Sequence, residues 1–197
     1  MTIDAFWKLI EGIDPASFDM KAKNARLASA QATLPPEELR AFADHYWACR
    51  RRAFTWPLWD AAAIMHGGCG DDAFMDFRSS LITFGRDVFE RALADPDSLA
   101  DLPQQVPRDQ GVYATIHTAL ARLPGPSYQP TGTAEDEPEG VSIEQEEAYE
   151  ELAARRFPRL SARLEEKPKY SIPPRRSGWI TLFHLMTYGV FDRKRPL

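Results

Sequence analysis

The stretch DDAFMDFRSSLITFGRDVFERALA, residues 71–94, sets the fold class. Phe74, Phe77, Leu81, Phe84 and Val88 follow one another at intervals of three and four. At 3.6 residues per turn that spacing stacks them on one side of a helix. The apolar arc covers about half the helix, as expected of a helix central to a core. One uninterrupted helix over 71–94 is therefore predicted. Nowhere does the chain alternate with period two for long enough to predict a strand, so the expected fold class is all-α.

Similar patterns precede and follow it. TIDAFWKLIEG aligns Ile3, Phe6, Trp7 and Ile10, with Thr2 placed to cap. A weaker pattern spans 19–33. LPPEEL at 34–39 is a start signal, with prolines in the first turn and acids at the positive end of the dipole. The helix it opens runs to about 54 and ends on Arg50, Arg51 and Arg52, where cations are favoured. WPLWDAAAIMHGG predicts a short helix stopped by Gly67 and Gly68. Asp95-Pro96 stops the long helix, and a last one resumes around Val112, Ile116 and Leu120. The expectation is a single helical domain of five or six helices over 1–123. Trp7, Phe42, Trp59, Phe74, Phe77, Leu81, Val88 and Ile116 are its expected core.

After Leu123 the composition changes. PGPSYQPTGTAEDEPEG predicts a flexible acidic linker over 124–141. Residues 142–197 are expected to form a C-terminal helix and a basic tail that pack on the core. Ser142 and Gln145 make a capping-box pattern there, and Pro158 should kink or end the helix. The apolar run WITLFHLMTYGVF, 179–191, fits a short strand or a buried helix.

Charge and cysteine content bound the function. The net charge of −5 argues against a general polyanion binder. Residues 131–151 hold nine acids, whereas 152–197 hold eleven Lys or Arg against three acids. These segments either neutralise each other or seek outside partners. Nucleic-acid binding through the tail is a weak expectation, because no reader motif accompanies it. Two cysteines are too few for a disulfide scaffold, and the first residues lack a basic leader pattern. The longest apolar stretch falls short of the roughly 20 residues a membrane span needs. A cytoplasmic protein with no membrane association is expected.

The first 123 residues resemble a bacterial family, domain of unknown function 4240. The features that carry the resemblance are FWKLIE at 6–11, LPPEEL at 34–39, LWDAAAIMHGGCGDDAFMDFR at 58–78 and LITFGRDVFERALADPDSLAD at 81–101. FPRLSARL at 157–164 is similar to a looser stretch near the end of such proteins. Ser79-Ser80 stand where a bulky aromatic is usual. The resemblance implies an all-helical domain and brings no activity with it.

Candidate chemistry gathers around the start of the long helix. On the helical wheel Arg78 falls about 40° from Phe74, inside the apolar arc. A guanidinium placed there must find a partner or reach water. Asp71, seven residues upstream, and Asp60, on the preceding helix, are the candidate acids. Asp71 and Asp72 also suit a capped first turn. His66, Cys69, Asp71, Asp72 and Asp76 match no closed zinc spacing, so neither a metal nor a cofactor is expected. His66 suits the C-terminal end of its helix. The nearby acids oppose a reactive Cys69 thiolate. His45 and Tyr46 read as core neighbours, and His117 flanks an apolar stripe.

The leading expectation is a non-enzymatic interaction or regulatory module with a protein partner. The alternative is a small-molecule-binding protein or hydrolytic enzyme with a polar site of Arg78, Asp71, Asp72, His66, Cys69 and Asp60.

Overall fold

The structure is a computed structural model that describes residues 1–125, 127–129, 137–143 and 149–165. The 179–191 run, the basic tail and Gln145 lie outside the described residues. Among those described, the fold is all-α: nine α-helices and one 3-10 helix. Thr55 and Glu139 pair in an isolated parallel bridge. Among the described residues, no helix is long and apolar enough to cross a membrane.

Seven α-helices fall within 1–123: α1 (Ile3–Glu11), α2 (Met20–Ala32), α3 (Pro36–Arg52), α4 (Trp56–His66), α5 (Asp71–Ile82), α6 (Arg86–Ala94) and α7 (Gly111–Leu120). The 3-10 helix is Pro96–Asp101, and α8 (Tyr149–Arg156) and α9 (Pro158–Glu165) follow. Capping explains several starts. The side chains of Thr2, Asp19 and Thr55 accept from the backbone N–H groups of Ala5, Ala22 and Leu58. Gly67, at φ 67°, closes α4 in the left-handed conformation that glycine adopts without a Cβ clash.

The predicted helix over 71–94 is two helices. α5 ends at Ile82, and α6 begins after Gly85, whose φ of 88° and ψ of 169° belong to a region that is essentially glycine's alone. A buried lysine from α2 holds the break. Lys23 Nζ donates to the carbonyl of Thr83 at 3.1 Å and to that of Pro15 at 3.1 Å, and it lies 3.7 Å from the Phe84 ring centroid. Burial pulls the pKa of this ammonium down to about 8, with Asp14 opposing the shift. Thr83 Oγ1 in turn donates to Ser80 O at 2.7 Å. The α5 carbonyls that a continued helix would have used thus find other donors. Gly85→Ala should destabilise the fold by about 1–3 kcal/mol, because a Cβ strains that backbone. Urea unfolding would measure it, and a variant as stable as the parent would contradict this account of the break.

The break also corrects one core assignment. Trp7, Phe42, Trp59, Phe74, Phe77, Leu81 and Ile116 are buried as expected, but Val88 is only partly buried. Phe89 and Ala92 carry the buried face of α6 instead. The wheel loses phase at Gly85, so residues beyond it cannot be counted from Phe74.

The helix enclosed on every side is α4, with all residues from Leu58 to Met65 buried. Its run of small and aliphatic side chains lets neighbours close around it. α7 packs along α2 and also meets α3 and α5. α9 packs on α4 and on the 3-10 helix. Within 124–141, Tyr128 donates from its hydroxyl to Asp44 at 2.7 Å, and Glu139 N and O bond to Phe54 O and Trp56 N.

Candidate functional site

Arg78 sits in the middle of α5 and is the largest of the fully buried side chains. Its Nη1 donates to the backbone carbonyl of Arg50 at 3.0 Å. That carbonyl belongs to the last turn of α3, where no intrahelical donor is available. The guanidinium carbon lies 4.5 Å from the Phe54 ring centroid and 5.1 Å from that of Phe74. A cation at a helix C-terminus, between two aromatic faces, is favoured both by the dipole and by the ring quadrupoles. Phe74 continues into a stack: its ring centroid is 4.5 Å from that of Trp59, which lies 5.2 Å from that of Trp56.

The other predicted residues stand around the turn that joins α4 to α5. His66 is the last residue of α4, and its Nε2 lies 3.0 Å from Val106 O. A carbonyl can only accept, so that nitrogen carries the proton. Gln105 donates to Met65 O, and Arg108 Nη1 donates to Gly68 O at 3.3 Å. The Cys69 carbonyl accepts the indole N–H of Trp59 at 2.7 Å, and the Cys69 thiol is buried and reduced. Gly70 takes the N-cap position of α5, so Asp71 is the first helical residue and not the cap. Asp71 and Asp72 still place negative charge in the first turn.

Asp60 is buried in α4. Its two carboxylate oxygens accept from Ser142 Oγ at 2.8 Å and Ile143 N at 2.9 Å. It therefore ties the segment after the acidic stretch to the central helix. Among the described residues, no group of three or more His, Cys, Asp or Glu side chains is placed to hold a metal ion.

A second arginine matters that the sequence reading assigned to the helix dipole. Arg50, also in the last turn of α3, is buried. Its guanidinium carbon is 4.7 Å from the Trp47 ring centroid, 5.8 Å from that of Tyr113 and 6.0 Å from that of Tyr46. His117 completes the outer wall, with its ring centroid 4.1 Å from that of Tyr113 and 6.1 Å from that of Trp47. Burial, and then the Arg50 charge, hold His117 below its usual pKa. Burial pushes Asp76 above the usual carboxylate range, against a hydrogen bond with Gln110 and the pull of Arg50. The signal was present in the sequence. Arg50 falls four residues after Tyr46, eight after Phe42 and seven after Ala43, on the stripe that α3 turns to the core.

A family model described as a protein of unknown function, DUF4240, matches residues 1–123. The chain belongs to the DUF4240 family. No curated protein and no solved structure matched the chain. The DUF4240 span contains Arg78, its aromatic neighbours, the α4–α5 turn and the whole Arg50 cage. Ser142, Ile143 and α9 lie beyond it. The DUF4240 match brings no chemistry with it.

Proposed function

We propose that this chain is a non-enzymatic interaction or regulatory module that works in the cytoplasm and binds a protein partner. The observation that carries the reading is where the candidate polar groups go. Arg78 caps the end of α3, His66 bonds to the 105–108 segment, and Asp60 holds Ser142 and Ile143. Each joins two parts of the fold, whereas a catalytic set must converge on one reacting atom. Two reduced cysteines agree with a cytoplasmic setting.

The test is a turnover screen on the full chain with phosphate-ester, acyl-ester and peptide substrates. It is run beside His66→Ala, Cys69→Ala and Asp71→Asn. The expected result is no turnover above a heat-denatured control for any of them. Turnover that vanishes in one of the three variants would sink the reading and favour a hydrolytic site at the α4–α5 turn.

A further inference from the structure

Arg50 is 2% exposed, yet its Nε has no acceptor among the described residues. Beside it, the buried indole Nε1 of Trp47 also has none. Both groups are pure donors. The surrounding rings offer the cation their π faces, but they do not replace a hydrogen-bond acceptor. A buried donor left unmatched costs the desolvation of that group. Two of them lie side by side, with the indole ring centroid 4.7 Å from the guanidinium carbon. What both require is an oxygen acceptor.

We propose that Trp47 and Arg50 are the donor pair of a binding site for a carboxylate monoanion carried on a flat apolar body. Three features select that ligand. The guanidinium fork matches the two oxygens of a carboxylate. Tyr113 and His117 stand at the exposed rim with their rings tilted against each other, and present aromatic surface to the rest of the ligand. His117 is neutral near pH 7, so it adds ring surface without competing charge. Finally, Asp76 feels the carboxylates of Asp72 and Asp109 as well as Arg50. That acidic surrounding penalises a dianionic phosphate more than a single negative charge. The site goes beyond the interaction reading and does not depend on it, because its donors and its aromatic rim lie on α3 and α7 and not on the α4–α5 turn.

The experiment is calorimetric titration of the full chain at pH 7 with benzoate, benzamide and inorganic phosphate. Benzoate should bind saturably, and both benzamide and phosphate should bind at least roughly tenfold more weakly. Arg50→Gln should abolish benzoate binding while circular dichroism stays that of the parent. Trp47→Phe keeps a ring and removes the N–H; it should weaken benzoate several-fold, and it carries the test if Arg50→Gln does not fold. Asp76→Asn removes a neighbouring negative charge and should tighten benzoate. The proposal is overturned if benzoate gives no saturable heat, or if it binds Arg50→Gln or Trp47→Phe as it binds the parent. Phosphate binding tighter than benzoate overturns the carboxylate assignment.

Discussion

Arg78→Ala should lower the unfolding free energy by about 3–5 kcal/mol, the range for breaking a buried charged contact and leaving a cavity. Three losses add up. The Arg50 carbonyl loses its 3.0 Å donor in the last turn of α3. Phe54 and Phe74 lose the cation that lies over them. The space of a side chain that is 1% exposed then has to collapse or stay empty. Arg78→Met separates these effects. It keeps much of the volume and loses the charge and the donor, so it should fall between the parent and the alanine variant. Urea unfolding of all three, with unchanged slopes, makes the comparison. An alanine variant that unfolds at the parent's midpoint would show that Arg78 does not hold α3 and α5 together.

Asp97→Ala should release α9 from the core. Asp97 is buried, and its carboxylate accepts from Arg159 N at 3.1 Å and Leu160 N at 2.9 Å. Those N–H groups belong to the first turn of α9, where neither has a helical partner. The cap thus comes from a helix more than sixty residues upstream, and it brings negative charge to the positive end of the dipole. Removing it strands one buried and one half-buried donor and costs roughly 2–4 kcal/mol. Amide hydrogen exchange across α9 should accelerate by about a hundredfold, since every 1.4 kcal/mol is tenfold. Arg163 still bonds to Ala100 O and Leu102 O, so the C-terminal turn of α9 should be affected less than its start. Unchanged exchange at Arg159 and Leu160 would mean that the carboxylate does not anchor the helix. Asp97→Asn keeps one acceptor and should be milder.

Both predictions concern residues whose sequence context hides their partners. Arg78 was legible as an anomaly, because an arginine inside an apolar arc must be accommodated. Its accommodation was not legible, because the Arg50 carbonyl and Phe54 come from α3 and the turn after it. Asp97 in DPDSLAD reads as a turn acid and gives no hint of α9. Arg50 stands in a run of three arginines at a helix end, where dipole compensation explains all three equally well. Its place on the stripe of Phe42 and Tyr46 sets Arg50 apart from Arg51 and Arg52, but the rings of Tyr113 and His117 that cage it come from α7.

What the sequence determined by itself is local. Helical periodicity, caps and breakers predicted the all-α class and most helix bounds. They also predict seven of the eight expected core residues, because backbone hydrogen bonding and side-chain spacing are set by near neighbours. The tertiary structure decided the rest. Lys23, sixty residues away, and Gly85 cut one predicted helix into two, and that cut left Val88 only partly buried against the core. It also decided which arginines are buried, since burying a guanidinium depends on rings and carbonyls that only folding brings to it.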